Sequence, residues 1–281
     1  MLGYAEYGSR HGVPIIRCHG APSSRAEGAL LDGGASDLGV RLVVPDRPGM
    51  GQSDLQQHRR IEHWPDDVAQ LATTLGLRRF AVLGVSGGSP YALACAVRIP
   101  ERVTAIGLVS AVAPFDAAEN FAALKGPSRA MYQLARRAPW LLRGLLTLMR
   151  RAATSKSAAS EHMAASFPEP DRRALQRTEV RAHLGSVFAE AMRQGSRGVC
   201  RDMELIANPW GFDLTAVQVP VLLWQGEQDR NVPAAHGRYL LGALPNCRAT
   251  FYPDEAHLSL LVNRHREILR ALAASSDESA L

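Results

Sequence analysis

The feature that most constrains the fold is the stretch from Arg79 to Arg98. It runs from an apolar segment, Phe80-Ala-Val-Leu-Gly-Val85, through Gly84-Val85-Ser86-Gly87-Gly88 into Pro90-Tyr-Ala-Leu-Ala-Cys-Ala96. An unbroken apolar run of this length reads as a buried strand, the kind found inside a parallel sheet covered by helices. The G-x-S-x-G pentapeptide then joins that strand to a helix across one tight turn. A serine on such a turn takes a strained backbone conformation, and the glycines two before and two after it leave room for the chain to pass. Its hydroxyl stands clear at the tip of the sheet. The Gly87 N–H, at the start of the helix, faces the place where an oxyanion would form.

The flanking sequence repeats the strand–helix alternation, the mark of parallel βαβ units. Val13-Pro-Ile-Ile-Arg-Cys18, Val40-Arg-Leu-Val-Val-Pro45 and Val103 to Ser110 read as strands, and Asp66 to Leu77 has helical spacing. From Phe115 to about Asn208 no strand pattern occurs; the text is rich in Ala, Leu, Arg and Met, with breakers at Pro127, Pro139, Pro168 and Pro170. Alternation resumes with a strand from Val219 to Gly226, a helix from Ala234 to Leu244, a strand from Cys247 to Tyr252 and a closing helix from Leu258 to Ala274. The tail from Ser275 reads as frayed. The expectation is an α/β fold: a mostly parallel, doubly wound sheet built from 1–114 and 211–281, with a helical cap inserted at 115–210.

A serine hydroxyl needs a neighbouring base to take its proton, and that base needs a carboxylate to orient it. In a parallel sheet the useful positions lie just beyond the carboxyl ends of strands. Asp229 follows the strand at 219–226 and His257 follows the strand at 247–252. The chain order Ser, Asp, His is the one expected for a nucleophile elbow. The other histidines fall in early loops, in the helical insert or inside helices; His236 and His265 are of the last kind. Asp254 and Glu255 read as shaping the turn before His257, and Asp116 is the alternative acid. Cys18-His19-Gly20-Ala21-Pro22 follows an early strand, so the Ala21 N–H joins that of Gly87 as a second oxyanion donor, with the His19 ring holding the loop. Asp46-Arg-Pro-Gly-Met-Gly-Gln-Ser-Asp54 reads as packing beside it through an Arg25–Asp46 or an Arg47–carboxylate pair.

These motifs together resemble the α/β-hydrolase family with a helical cap. The match runs through His19-Gly20-x-Pro22-x-Ser24-Arg25, Pro45-Asp-Arg-Pro-Gly-x-Gly-x-Ser53, Gly84-Val-Ser-Gly-Gly88, Gly226-x-x-Asp229-x-x-Val-Pro233 and Ala256-His257. The resemblance implies Ser86, Asp229 and His257 as a catalytic triad and Ala21 and Gly87 as oxyanion donors; the residues themselves indicate no cofactor or metal. Members usually carry a further strand ahead of the segment Leu2–Tyr7, so either a shortened sheet edge or a late start of the given sequence is expected here. Family members that open epoxides or remove halogen place an aspartate at the elbow. Serine there implies acyl transfer: a carboxylesterase-like enzyme acting on an ester, thioester or lactone of a small molecule. The same triad also supports perhydrolysis or carbon–carbon cleavage. A reading of another class stays open, a non-hydrolytic lyase or cyclase of natural-product metabolism, or a small-molecule receptor.

Composition excludes more than it assigns. The net charge is +5, but the segment from Phe115 to Trp210 holds 15 Lys+Arg against 9 Asp+Glu, leaving the remainder near neutral. The basic residues lack aromatic interleaving, which argues against a nucleic-acid partner. The first ten residues carry no secretory pattern and no stretch is long and apolar enough to span a membrane, so a cytoplasmic location is expected. The four cysteines form no C-x-x-C pair. Met131, Tyr132, Trp140, Met149, Phe167 and Trp210 are candidates to wall an apolar substrate pocket, and the basic cap suggests an acidic acyl or leaving group.

Overall fold

A computed structural model describes residues 1–153 and 167–278. Seven strands, β1 (Tyr4–Gly8), β2 (Val13–Cys18), β3 (Val40–Pro45), β4 (Phe80–Val85), β5 (Val103–Val109), β6 (Val221–Gly226) and β7 (Cys247–Tyr252), form one sheet in the order β1-β3-β2-β4-β5-β6-β7. All neighbours are parallel except β1, which pairs antiparallel with β3 from Tyr4↔Pro45 to Gly8↔Arg41. β1 forms one edge of the sheet and β7 the other. Every residue of β4 and β5 is buried, as their unbroken apolar runs require. The exposed edge strand β7 alternates instead.

The two faces divide the strand residues with period two. Ile15, Leu83, Val85, Ala105 and Val109 point to the face covered by α1 (Asp32–Asp37) and the closing helix α11 (His257–Glu278). Ile16, Cys18, Val82, Ile106 and Leu108 point to the opposite face, with α2 (Trp64–Thr74), α3 (Ser89–Arg98) and α10 (Ala234–Ala243). This is the doubly wound arrangement expected.

Between β5 and β6 the described residues contain helices and no strand: α4 (Ala118–Ala123), α5 (Gly126–Arg137), α6 (Pro139–Ala153), α7 (Glu169–Gln176), α8 (Thr178–Ala191) and α9 (Arg197–Ala207). Pro127, Pro139 and Pro170 fall in the first turns of α5, α6 and α7, where the missing N–H costs nothing and the fixed φ suits a helix. Tyr132, Leu142, Leu146, Met203 and Ile206 of these helices join the core cluster that also holds α2 and α3.

Two boundaries differ from expectation. The last helix begins at His257 itself, and it continues past Ser275 to Glu278. The reason for the second is visible: the Ser275 and Ser276 hydroxyls donate to the carbonyls of Ala271 and Leu272, and Ser276 also meets Thr104 on β5. Residues 279–281 lie outside the described residues.

Candidate active site

Four loops at the carboxyl ends of β2, β4, β6 and β7 converge, with the elbow serine after the central strand β4. Ser86 has φ +52°, in the left-handed region that a non-glycine residue seldom adopts. The turn is tight enough to need its glycines. A Cβ on Gly84 would meet Ala92 Cβ at 2.8 Å, and one on Gly88 would sit 2.1 Å from the Cys18 carbonyl oxygen. Among the described residues the Ser86 hydroxyl has no hydrogen-bond partner.

Asp229 and His257 are joined. The His257 Nδ1–H donates to Asp229 Oδ2 at 2.8 Å, a direction set by chemistry because an ionised carboxylate only accepts. Asp229 Oδ1 accepts the backbone N–H groups of Asn231 and Val232, both at 2.8 Å, and Gln225 Nε2 approaches Oδ2 at 3.4 Å. The carboxylate is thereby fixed in the plane that holds the imidazole. Burial alone would depress the His257 pKa. The charge and hydrogen bond of Asp229, with the carboxylates of Asp171 and Glu27, outweigh it and hold the pKa above the ordinary value.

The loop after β2 that carries His19, Gly20 and Ala21 is braced from behind. The His19 Nδ1–H donates to the Gly20 carbonyl at 2.8 Å, and Nε2 accepts the Arg47 N–H at 3.2 Å. Both bonds fit one neutral tautomer, and burial together with the Arg47 charge keeps the ring pKa well below its usual value. The Arg47 guanidinium donates to the carbonyls of His19 and Gly20 and grips Asp202 of α9 through Nε (2.9 Å) and Nη2 (2.8 Å). Arg25 binds Asp46 at 2.6 Å. Both ion pairs anticipated beside this loop are therefore present. The Ala21 and Gly87 backbones lie together, since a Cβ on Gly87 would be 3.3 Å from Ala21 N and 3.0 Å from Ile206 Cδ1. A loop residue and the first turn of a helix both leave N–H groups free of intrahelical acceptors.

Of the residues offered for a substrate pocket, Tyr132 and Trp210 are buried, Met131, Met149 and Phe167 are half-buried, and Trp140 is 73% exposed. Trp140 therefore points to solvent on the outer face of α6 and encloses no pocket in this structure. Tyr132 packs edge-on against Phe115, and the Trp210 indole N–H donates to the Ile206 carbonyl, one layer behind the elbow. Asp116 and Asp254 are exposed, and Glu255 clamps Asn263 and Arg264 of α11. His236 is buried in α10, where it accepts the Ala113 N–H.

Three carboxylates emerge that sequence reasoning did not single out. Asp171 of α7 accepts the N–H groups of Leu258 and Ser259, both at 2.9 Å, and so caps the helix that His257 opens. Glu27 pairs with Arg17 at 3.0 Å and accepts the Gly20 N–H at 3.1 Å. Asp202 binds Arg47, Arg59 and Tyr91.

The family model for the alpha/beta hydrolase fold matches residues 13–264. The chain belongs to the α/β-hydrolase family. A proline iminopeptidase of Xylella fastidiosa is 33% identical over 112 residues, which is 38% of this chain and only 35% of that protein, so the chain matches about a third of its length. A putative carbamate hydrolase of a Caulobacter species is 25% identical over 85% of this chain and 87% of its own. Among solved structures, a thermophilic esterase from Thermogutta terrifontis superposes with a TM-score of 0.69 at 22% identity, covering 100% of this chain and 94% of that one. A bromoperoxidase from Bacillus anthracis gives 0.72 at 19% identity, covering 98% and 95%. At these identities the likeness is one of fold. No helix among the described residues is long and apolar enough to cross a membrane.

Proposed function

We propose that this member of the α/β-hydrolase family is a serine hydrolase that cleaves a carboxylic ester, thioester or lactone of a small organic molecule. The observation that carries the reading is the Asp229–His257 pair, bonded at 2.8 Å on the same sheet edge as a serine held at φ +52°. In the proposed cycle the Ser86 Oγ attacks the substrate carbonyl while His257 Nε2 takes its proton. The Ala21 and Gly87 N–H groups receive the developing oxyanion. The His257 imidazolium then protonates the leaving oxygen or sulfur, giving an acyl-enzyme. Water, deprotonated by the same nitrogen, attacks the acyl carbonyl, and Ser86 recovers its proton.

Beyond Asp229, the charges that act on His257 are the carboxylates of Asp171 and of Glu27, the latter paired with Arg17, whereas the exposed arginines of α5 and α6 face outward. That arrangement favours neutral substrates over the acidic ones suggested by the overall charge of the insert. The test is turnover of short-chain p-nitrophenyl esters by the wild type and Ser86→Ala. The reading predicts a loss of at least about 10⁴-fold in kcat; a folded wild type with no turnover on esters, thioesters and lactones would contradict it.

A further inference from the structure

The outer face of α6 carries an apolar stripe that nothing in the described structure covers. Trp140, Leu141, Leu145 and Leu148 are 73%, 45%, 38% and 64% exposed. With Gly144 they sit at i, i+1, i+4, i+5 and i+8, the spacing of one helical face. The other face is the packed one, since Leu142 and Leu146 are fully buried. Isolated apolar side chains on a surface need no explanation, whereas a contiguous stripe marks a contact.

Its electrostatic setting says what kind. From Lys125 to Arg151 the chain holds seven basic residues and no Asp or Glu. Arg136, Arg137, Arg143 and Arg150 are exposed, and among the described residues none of them has a carboxylate partner. A second copy of this chain is a poor occupant, because pairing two such faces would bring two sets of arginines together with no opposing charge. A helix with a Trp and Leu face flanked by arginines has the composition of an interfacial helix that lies in the headgroup layer. We propose that α6 docks the protein onto an anionic phospholipid surface, with Trp140, Leu141, Leu145 and Leu148 entering the headgroup–acyl boundary and the arginines meeting lipid phosphates. This inference stands independently of the chemistry at Ser86.

The test uses the whole chain with unilamellar vesicles of phosphatidylcholine, alone or with about one-third phosphatidylglycerol. Sedimentation should show at least about tenfold stronger partitioning onto the anionic vesicles, since each basic side chain near such a surface adds roughly a factor of five, and high salt should weaken it. Of the four tryptophans, Trp64, Trp210 and Trp224 are buried, so a blue shift of emission on binding would report Trp140. Trp140→Phe should abolish the shift while leaving sedimentation. Leu145→Asp/Leu148→Asp should abolish both, and Arg143→Glu/Arg150→Glu should do so with the stripe intact, keeping the test valid if the first pair fails to fold. No binding, equal binding to neutral vesicles, or binding insensitive to both pairs of substitutions would overturn the proposal. So would a dimer that forms without lipid and is dispersed by the Leu145/Leu148 pair.

Discussion

Asp202→Asn should be costly out of proportion to its size. The Asp202 carboxylate is fully buried and accepts two bonds from Arg47, one from Arg59 and one from the Tyr91 hydroxyl, at 2.7–2.9 Å. The asparagine keeps the shape but leaves two buried guanidiniums without a counter-charge. Removing one partner of a buried ion pair costs about 3–5 kcal/mol. At about 2 °C per kcal/mol for a chain of this size, that is a fall of roughly 6–10 °C in Tm. The sign with pH is fixed as well. Burial would raise the Asp202 pKa, but Arg47 and Arg59 override it and hold the carboxyl well below its usual range. Its contribution is therefore complete above an ordinary aspartate pKa of about 4 and is lost as pH falls through the lowered folded value. Circular-dichroism melts should show the full gap between wild type and variant from pH 7 to about pH 5, narrowing only in stronger acid. Because Arg47 also holds the His19 and Gly20 carbonyls, kcat on an active ester should fall about tenfold at temperatures where the variant is folded. A Tm change under about 2 °C at pH 7 would refute the reasoning, and so would a gap that widens on acidification.

Three further outcomes follow from the geometry. Asp171→Asn keeps an acceptor for the Leu258 and Ser259 N–H groups but removes a charge that raises His257, so the acid limb of the kcat/KM profile should move to lower pH; an unmoved limb would contradict the role. Gly88→Ala places a methyl 2.1 Å from the Cys18 carbonyl and should cost several kcal/mol or prevent folding, whereas a melt within about 2 °C of wild type would refute the packing argument. Matched esters with a neutral or a carboxylate-bearing acyl group should show a kcat/KM preference for the neutral one; a preference for the acid would overturn the electrostatic reading.

Much of this site is legible in the primary structure because it depends on short-range patterns. The elbow is a strand, a serine among glycines and a helix within twenty residues. Asp229 and His257 each follow a strand of the parallel sheet, so the topology alone brings them to one edge. The bracing carboxylates are illegible for a physical reason. Asp171 lies in Glu169-Pro-Asp-Arg-Arg173, where acidic residues complement the start of their own helix; here it caps α11 instead. Asp202 lies between Arg201 and Met203 and reads as one polar position of an amphipathic helix. Only the packing of α9 over Arg47 and Arg59 makes it a buried anchor. Trp140 departs in the opposite sense: its apolar bulk makes it a candidate pocket wall in the sequence, but in the fold it faces outward with Leu141, Leu145 and Leu148.

The most direct test of the central claim is mass spectrometry of the intact chain and its peptides after exposure to a fluorophosphonate. A single adduct is expected on Ser86, absent in Ser86→Ala and strongly slowed in His257→Ala. A folded wild type that stays unlabelled, or labels at another residue, would contradict it.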